Sequence, residues 1–225
     1  MTLKIKFALN AFISSLAFSI ILFISAGRID YPQGWIYLFT TLVTAFMNVV
    51  TIQSDSELMS ERTKAGEGTK PWDKVILGLS FLLFIATMVI AGLDSGRYQW
   101  SSPAGRSVNA AGVCLMIAGQ IIFLSARKKN KFFSTVVRIQ KELGHTVCDS
   151  GLYKVVRHPG YLGMMISSVG IPFILGSVWS SVPVVASIIL LLVRTILEDK
   201  TLIEELEGYA EYAKKTRRKL IPWVW

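Results

Sequence analysis

Thirteen residues run without a break as Gly151-Leu152-Tyr153-Lys154-Val155-Val156-Arg157-His158-Pro159-Gly160-Tyr161-Leu162-Gly163, directly ahead of an apolar stretch. Pro159 disfavours helix at His158 and itself suits a helical first turn, so His158 and Tyr161 are predicted at the mouth of a membrane-embedded helix. The unpaired N–H groups of such a helix start would receive an anion, for example a ligand carboxylate. A second group, Arg194-Thr195-Ile196-Leu197-Glu198-Asp199, closes another apolar stretch. Arg194 and Glu198 stand one turn apart on one helical face, and ionisable groups this close to hydrocarbon are candidates for function. Each group also has a plainer reading. Arg157 can snorkel to phosphate headgroups beside an interfacial belt of Tyr153 and Tyr161, and Arg194 can be an ordinary snorkelling cation paired with Glu198. Spacing alone leaves both readings open.

Metal and redox chemistry find no support in the sequence. The two histidines, His145 and His158, lack partners at metal-ligand spacing, and Cys114 and Cys148 outline neither a metal site nor a disulfide framework. No G-x-G-x-x-G follows a strand, and Gly66-Glu67-Gly68-Thr69-Lys70 lacks the Walker spacing, so that segment reads as a turn in a polar loop.

The elements that would position these groups are membrane helices. Of 225 residues, 52% are hydrophobic and 17% charged, with a mean hydropathy of +0.49, too apolar for an ordinary soluble domain. Apolar runs fall at Phe7 to Ala26, Trp35 to Ile52, Val75 to Leu93, Val108 to Ala126, Tyr161 to Leu175 and Val182 to Leu197. Each of the longer ones approaches the roughly 20 residues that a bilayer crossing needs. The predicted fold is therefore all-α: a polytopic membrane protein of about six transmembrane helices. The fifth run is short and carries Pro172, and it pairs naturally with the sixth as a hairpin around Gly176 to Pro183. Lys4 and Lys6 precede a first run longer than a signal-peptide core, which predicts an uncleaved first helix.

Charge sets the predicted orientation. With the N-terminus in the cytoplasm, twenty of the 24 Lys and Arg residues fall on that side. Among them are Arg62, Lys64, Lys70 and Lys74 in the second connection. Only Arg28, Arg97 and Arg106 fall outside, as the positive-inside rule requires for six crossings with both termini cytoplasmic. This layout accounts for the net charge of +9 without a nucleic-acid partner. Small residues at helical spacing, Gly105, Gly112 and Gly119 in the fourth run and Gly160, Gly163, Ser167 and Gly170 in the fifth, predict close helix packing. From Glu198 to Thr216, Leu202, Leu206, Tyr209 and Ala213 recur on one face, which predicts an amphipathic helix continuing the sixth span along the membrane surface. The chain divides into residues 1–126, four transmembrane helices, and residues 127–225, a cytoplasmic loop, the helical hairpin and the surface helix.

Those C-terminal residues resemble a family of integral membrane methyltransferases that includes isoprenylcysteine carboxyl methyltransferase and the phospholipid methyltransferases. The family pattern G-x-Y-x-x-x-R-H-P-x-Y-x-G is met from Gly151 to Gly163 without a gap. Its R-x-x-x-E-E-x-x-L is matched by Arg194, Glu198, Asp199 and Leu202, with Asp199 in place of the second Glu, and the tail offers Tyr209, Tyr212, Arg217 or Arg218, and Pro222. Asn130 to Ser134, with Val136, Ile139 and His145, is similar to prokaryotic-type members, so the resemblance covers about residues 127 to 225.

The resemblance implies S-adenosyl-L-methionine at the cytoplasmic face, held by Leu152, Tyr153, Val156, Arg157, His158, Pro159, Tyr161, Gly163, Glu198 and Asp199. It implies catalytic roles for Arg194 and Glu198, with Arg194 holding the carboxylate of a lipid-like or isoprenoid-bearing acceptor in the bilayer. Two alternatives stand beside it. One is phospholipid amine methylation, which needs a general base that the sequence does not single out. The other is an NADPH-dependent membrane reductase of the sterol reductase type, whose members usually carry an Asn before the motif Tyr and an acid after the Gly. Here those positions are Gly160 and Met164.

Overall fold

In the computed structural model the described residues are 3–51, 68–222, 224 and 225, and among them there is no strand. Ile52, Arg62, Lys64, Gly66 and Glu67, and the side chain of Lys4, lie outside what is described. The helices are α1 (Leu3–Ala26), α2 (Pro32–Val50), α3 (Pro71–Ala91, prolonged by a π-helical turn at Gly92–Tyr98), α4 (Arg106–Lys129), α5 (Pro159–Leu175), α6 (Ser181–Glu205) and the short α7 (Tyr209–Lys215). Prolines at the first turns of α2, α3 and α5 start helices where a missing N–H costs nothing.

Five helices, α1 to α4 and α6, are long and apolar enough to cross a membrane, which makes this an integral membrane protein with all-helical spans. The fifth of the six predicted spans, α5, has 17 residues, about 26 Å of helix at 1.5 Å per residue, somewhat less than a bilayer core. It nonetheless runs antiparallel along α4 between Asn109 and Phe123. Near one end Gly163 abuts Gly119 and Phe123; near the other Gly170 meets Gly112, and Asn109 donates to the carbonyls of Phe173 and Ile174 at 3.0 Å each. A Cβ at Gly112 would come within 2.5 Å of the Ile174 nitrogen, so this crossing is closed backbone to backbone. Two of the glycines expected to share it do not. Gly105 caps the start of α4 in open space, and Gly160 faces the ring of Phe133.

On α1 the side chains of Ile5, Leu9, Ile13, Leu16, Ile20 and Ile24 lie exposed at helical spacing, a lipid-facing stripe. At one end of the bundle Arg127 of α4 holds the end of α2 through Asn48, and Lys70 reaches Glu205 at 2.5 Å, joining the start of α3 to the end of α6. At the other end the fully buried Asp94 accepts from Ser101, through both its N–H and its hydroxyl at 2.7 Å each, and from the Ser177 hydroxyl at 2.6 Å. That carboxylate fastens the π-helical turn to the α5–α6 hairpin, which turns at Gly176 (φ +61°). The division expected between residues 126 and 127 falls in the last turn of α4, whose packing on α5 makes one bundle of both parts.

The tail corrects the sequence expectation. No single helix runs from Glu198 to Thr216; α6 stops at Glu205 and the chain turns at Gly208, where φ is +81°. Only after that turn does α7 begin. Leu206, Tyr209 and Tyr212 are buried with Tyr153 and Ala126 in one apolar cluster. Their periodicity serves packing against the segment between α4 and α5, where Tyr153 is the apolar partner.

Gly112→Val is expected to lower stability in detergent by about 1–3 kcal/mol, because α4 and α5 must part to admit it. Gly78→Val, with nothing within 4 Å of its Cβ position, is expected to stay within about 0.5 kcal/mol of wild type. Thermal unfolding of the two variants side by side checks this.

Candidate functional site

A cleft of about 770 Å³, part of it open to solvent, lies at the basic end of the bundle. Its walls come from the segment after α4 (Phe133, Val137, His145), the start of α5 (His158, Tyr161), the inner end of α6 (Glu198, Leu202) and α7 (Tyr209, Tyr212). Pro159 stands at the first helical position of α5 and His158 precedes it with φ −124° and ψ 60°, outside the helix. The His158 and Tyr161 rings stack nearly parallel, 5.7 Å apart at 5°.

One ion pair holds these walls together. Arg157 donates from Nε and Nη2 to the two carboxylate oxygens of Asp199 at 2.7 Å each, and both side chains are buried. Nη1 of Arg157 then caps the carbonyls of Thr216 and Arg217 at 2.9 and 3.1 Å. Asp199 also accepts from Tyr209 at 3.0 Å and faces His158 Nε2 at 3.3 Å and Lys219 Nζ at 3.5 Å. Two backbone bonds run alongside, from the N–H groups of Arg157 and His158 to the carbonyls of Arg218 and Lys219, at 2.9 Å each. Burial alone would lower the basicity of Arg157, but the Asp199 carboxylate outweighs it, and the guanidinium is held more firmly charged than usual.

Arg194 is placed differently from the sequence expectation of an i,i+4 pair. Its Nε and Nη2 bind Asp73, at 2.8 and 3.2 Å, and Nη2 also reaches the Thr135 carbonyl at 2.9 Å. Its guanidinium carbon sits 5.2 Å from the centre of the Tyr161 ring, within cation–π reach. Glu198 instead accepts a short hydrogen bond from the Tyr161 hydroxyl. Among the described residues no cation bonds Glu198 directly; the Arg194 guanidinium acts on this partly buried carboxylate only through space, and its oxygens face the cleft with Tyr161 as their hydrogen-bond donor.

The predicted residues thus separate. Tyr153, Arg157, His158, Tyr161 and Glu198 line the cleft. Asp199 stands behind Arg157, Arg194 behind Tyr161, and Gly163 lies in the α4–α5 contact. Leu152, Val156 and Pro159 support the wall without lining it, Val156 being 2% exposed. Sequence reasoning missed Asp73, whose only signal is an acid in the first turn of α3. It also missed Phe133 and Val137, apolar residues of a segment with no periodicity.

His145, also on the wall, accepts the Gln140 N–H at Nδ1 (3.3 Å) and packs on Phe132 at 4.5 Å. Burial pulls its pKa down to about 4, so the ring is neutral near pH 7 with its proton on Nε2. Burial likewise raises the phenols of Tyr153, Tyr209 and Tyr212, which stay protonated donors.

Residues 111–204 match the isoprenylcysteine carboxyl methyltransferase (ICMT) family. A protein of Oryza sativa subsp. indica named "Probable protein-S-isoprenylcysteine O-methyltransferase" is 29% identical over 116 residues, 50% of this chain and 61% of its own. The protein-S-isoprenylcysteine O-methyltransferase of Rattus norvegicus is 30% identical over 181 residues, 77% of this chain and 57% of its own. The match therefore spans about three fifths of the length of these curated relatives. The structure of the eukaryotic intramembrane Ras methyltransferase ICMT has the same fold, with a TM-score of 0.56 at 20% identity over 91% of this chain and 71% of its own.

Asp199→Asn preserves shape but leaves the Arg157 charge uncompensated, an expected loss of about 3–5 kcal/mol. The tail should detach first, seen as faster amide exchange across α7. Lys200→Ala removes a side chain that is 71% exposed and pairs only with Glu204, and should change stability by less than about 0.5 kcal/mol.

Proposed function

We propose that this chain, whose residues 111–204 match the isoprenylcysteine carboxyl methyltransferase family, is a membrane methyltransferase that takes its methyl group from S-adenosyl-L-methionine. The acceptor is a carboxylate on a lipid-like or isoprenoid-bearing molecule. Glu198 is the observation that carries the reading. A carboxylate that no cation bonds directly, oriented by Tyr161 beside the stacked rings of Tyr161 and His158, suits a ligand that brings positive charge.

The cofactor supplies a sulfonium-bound methyl group: the S–CH3 bond breaks with its electron pair left on sulfur, and an acceptor oxygen forms the new O–CH3 bond. The protein's own task is alignment and exclusion of water. Glu198 and the faces of His158 and Tyr161 would hold the cationic end; the start of α5 does not repeat the anion site expected of it, since Pro159 has no N–H and those of Tyr161 and Leu162 bond the His158 carbonyl. An ionised carboxylate acceptor needs no base. An amine would need one, and both imidazoles of the cleft are engaged, His158 with Asp199 and His145 with the Gln140 N–H. A dinucleotide phosphate would meet arginines already paired, Arg157 with Asp199 and Arg138 with Glu142, beside an unpaired carboxylate. These features support methyl transfer over hydride transfer.

Depth fits a lipid-like acceptor. Val193 and Ile196 flank Arg194 and Glu198 on α6 and are 40% and 45% exposed, so an apolar tail can remain in the bilayer while its head enters the cleft. The surplus of Lys and Arg at this end favours a cytoplasmic site with both termini on that side.

Protein in detergent, given methyl-labelled S-adenosyl-L-methionine and an S-farnesylcysteine with a free carboxylate, should yield a base-labile methyl ester. Glu198→Gln should weaken cofactor binding about tenfold or more, the loss of one charge-assisted contact of about 1.5–3 kcal/mol. Unchanged affinity in that variant would place the cationic end elsewhere.

A further inference from the structure

Asp73 is wholly buried, lies in α3 outside residues 111–204, and belongs to none of the motifs at the cleft. Its Oδ1 receives Arg194 Nε at 2.8 Å, and its Oδ2 receives Arg194 Nη2 at 3.2 Å and the Val137 N–H at 2.8 Å. Arg194 in turn holds the Thr135 carbonyl and lies over Tyr161, whose hydroxyl is bound to Glu198. One run of contacts therefore leads from α3 to the carboxylate in the cleft.

Arg194 is one helical turn from Glu198, a spacing at which a free guanidinium and a carboxylate meet. It is turned away because Asp73 occupies its fork in bidentate geometry, with the fit that planar guanidinium and carboxylate groups share. We infer that Asp73 is a positioning residue that keeps Arg194 from bonding Glu198 directly and so leaves that carboxylate's oxygens open to a cationic ligand. The inference rests on the methyl-donor reading above and deepens it: the charge state of the binding site is set by a residue of the N-terminal half. Asp73 also fixes the Thr135 to Val137 segment, of which Val136 and Val137 line the cleft.

A suppressor experiment tests this. Calorimetric titration of S-adenosyl-L-methionine into the full chain in detergent compares wild type, Asp73→Asn, Arg194→Gln and the double variant. Asparagine keeps the size of the side chain and an oxygen for the Val137 N–H, but releases Arg194 to pair with Glu198. Asp73→Asn is expected to weaken binding about tenfold or more, and Arg194→Gln added to it is expected to restore affinity to within about twofold of wild type, without restoring turnover. A purely structural role predicts no such rescue. Wild-type affinity in Asp73→Asn, or a double variant as weak as the single one, overturns the inference. Where Asp73→Asn alone does not yield folded protein, Arg194→Gln and the double variant carry the test. Neither has the guanidinium, so their affinities should agree within about twofold, and a tenfold difference overturns the inference. If wild type itself binds no S-adenosyl-L-methionine, it is the methyl-donor reading that fails.

Discussion

Arg157 and Asp199 meet edge to edge, 42 residues apart in sequence and both buried, and three parts of the chain close on them. Arg157 brings the loop before α5, Asp199 brings the end of α6, and the carbonyls of Thr216 and Arg217 bring the tail. A buried ion pair of this kind is costly to desolvate and persists only where its remaining donors and acceptors are satisfied. Here they are, by Tyr209, His158 and Lys219 on one partner and by the capped carbonyls on the other. The shape of the cleft follows from this pair, since its walls are the three parts so joined.

The bundle beneath supplies rigidity. Lipid gives helices no hydrophobic reason to associate, so close contact depends on small residues and on interhelical hydrogen bonds. α4 and α5 use both, through the Gly112–Gly170 and Gly119–Gly163 approaches and through Asn109. The far end is tied by Asp94 and the cleft end by Asp73, two fully buried carboxylates with different roles. Asp94 is satisfied by backbone and hydroxyl donors and closes a turn. Asp73 bonds an arginine beside the cleft and leaves Glu198 without a direct ion-pair partner among the described residues.

Much of this was legible in the sequence. Hydropathy located the spans because a lipid-embedded backbone must satisfy itself as helix. The Pro after His158 placed the cleft mouth, and the small-residue spacing marked the α4–α5 crossing at Gly112, Gly119, Gly163 and Gly170. The motif residues around Tyr153, Tyr161 and Glu198 do share one cleft. What the sequence hid was partnership. Nothing in a linear pattern pairs Asp73 with Arg194 across 121 residues, so Arg194 read as the neighbour of Glu198. The amphipathic period after Glu198 was real, but a period does not say whether lipid or protein covers the apolar face, and Gly208 broke the helix it implied.

The cleft is proposed to take a cation-bearing adenosyl methyl donor. The most direct measurement titrates the purified wild-type protein with S-adenosyl-L-methionine and, separately, with NADPH, reading heat and thermal stability together. Saturable binding of the first is expected, with stabilisation of about 2.7 kcal/mol at 100 times its dissociation constant, and no binding of the second. Binding of NADPH without S-adenosyl-L-methionine would contradict it.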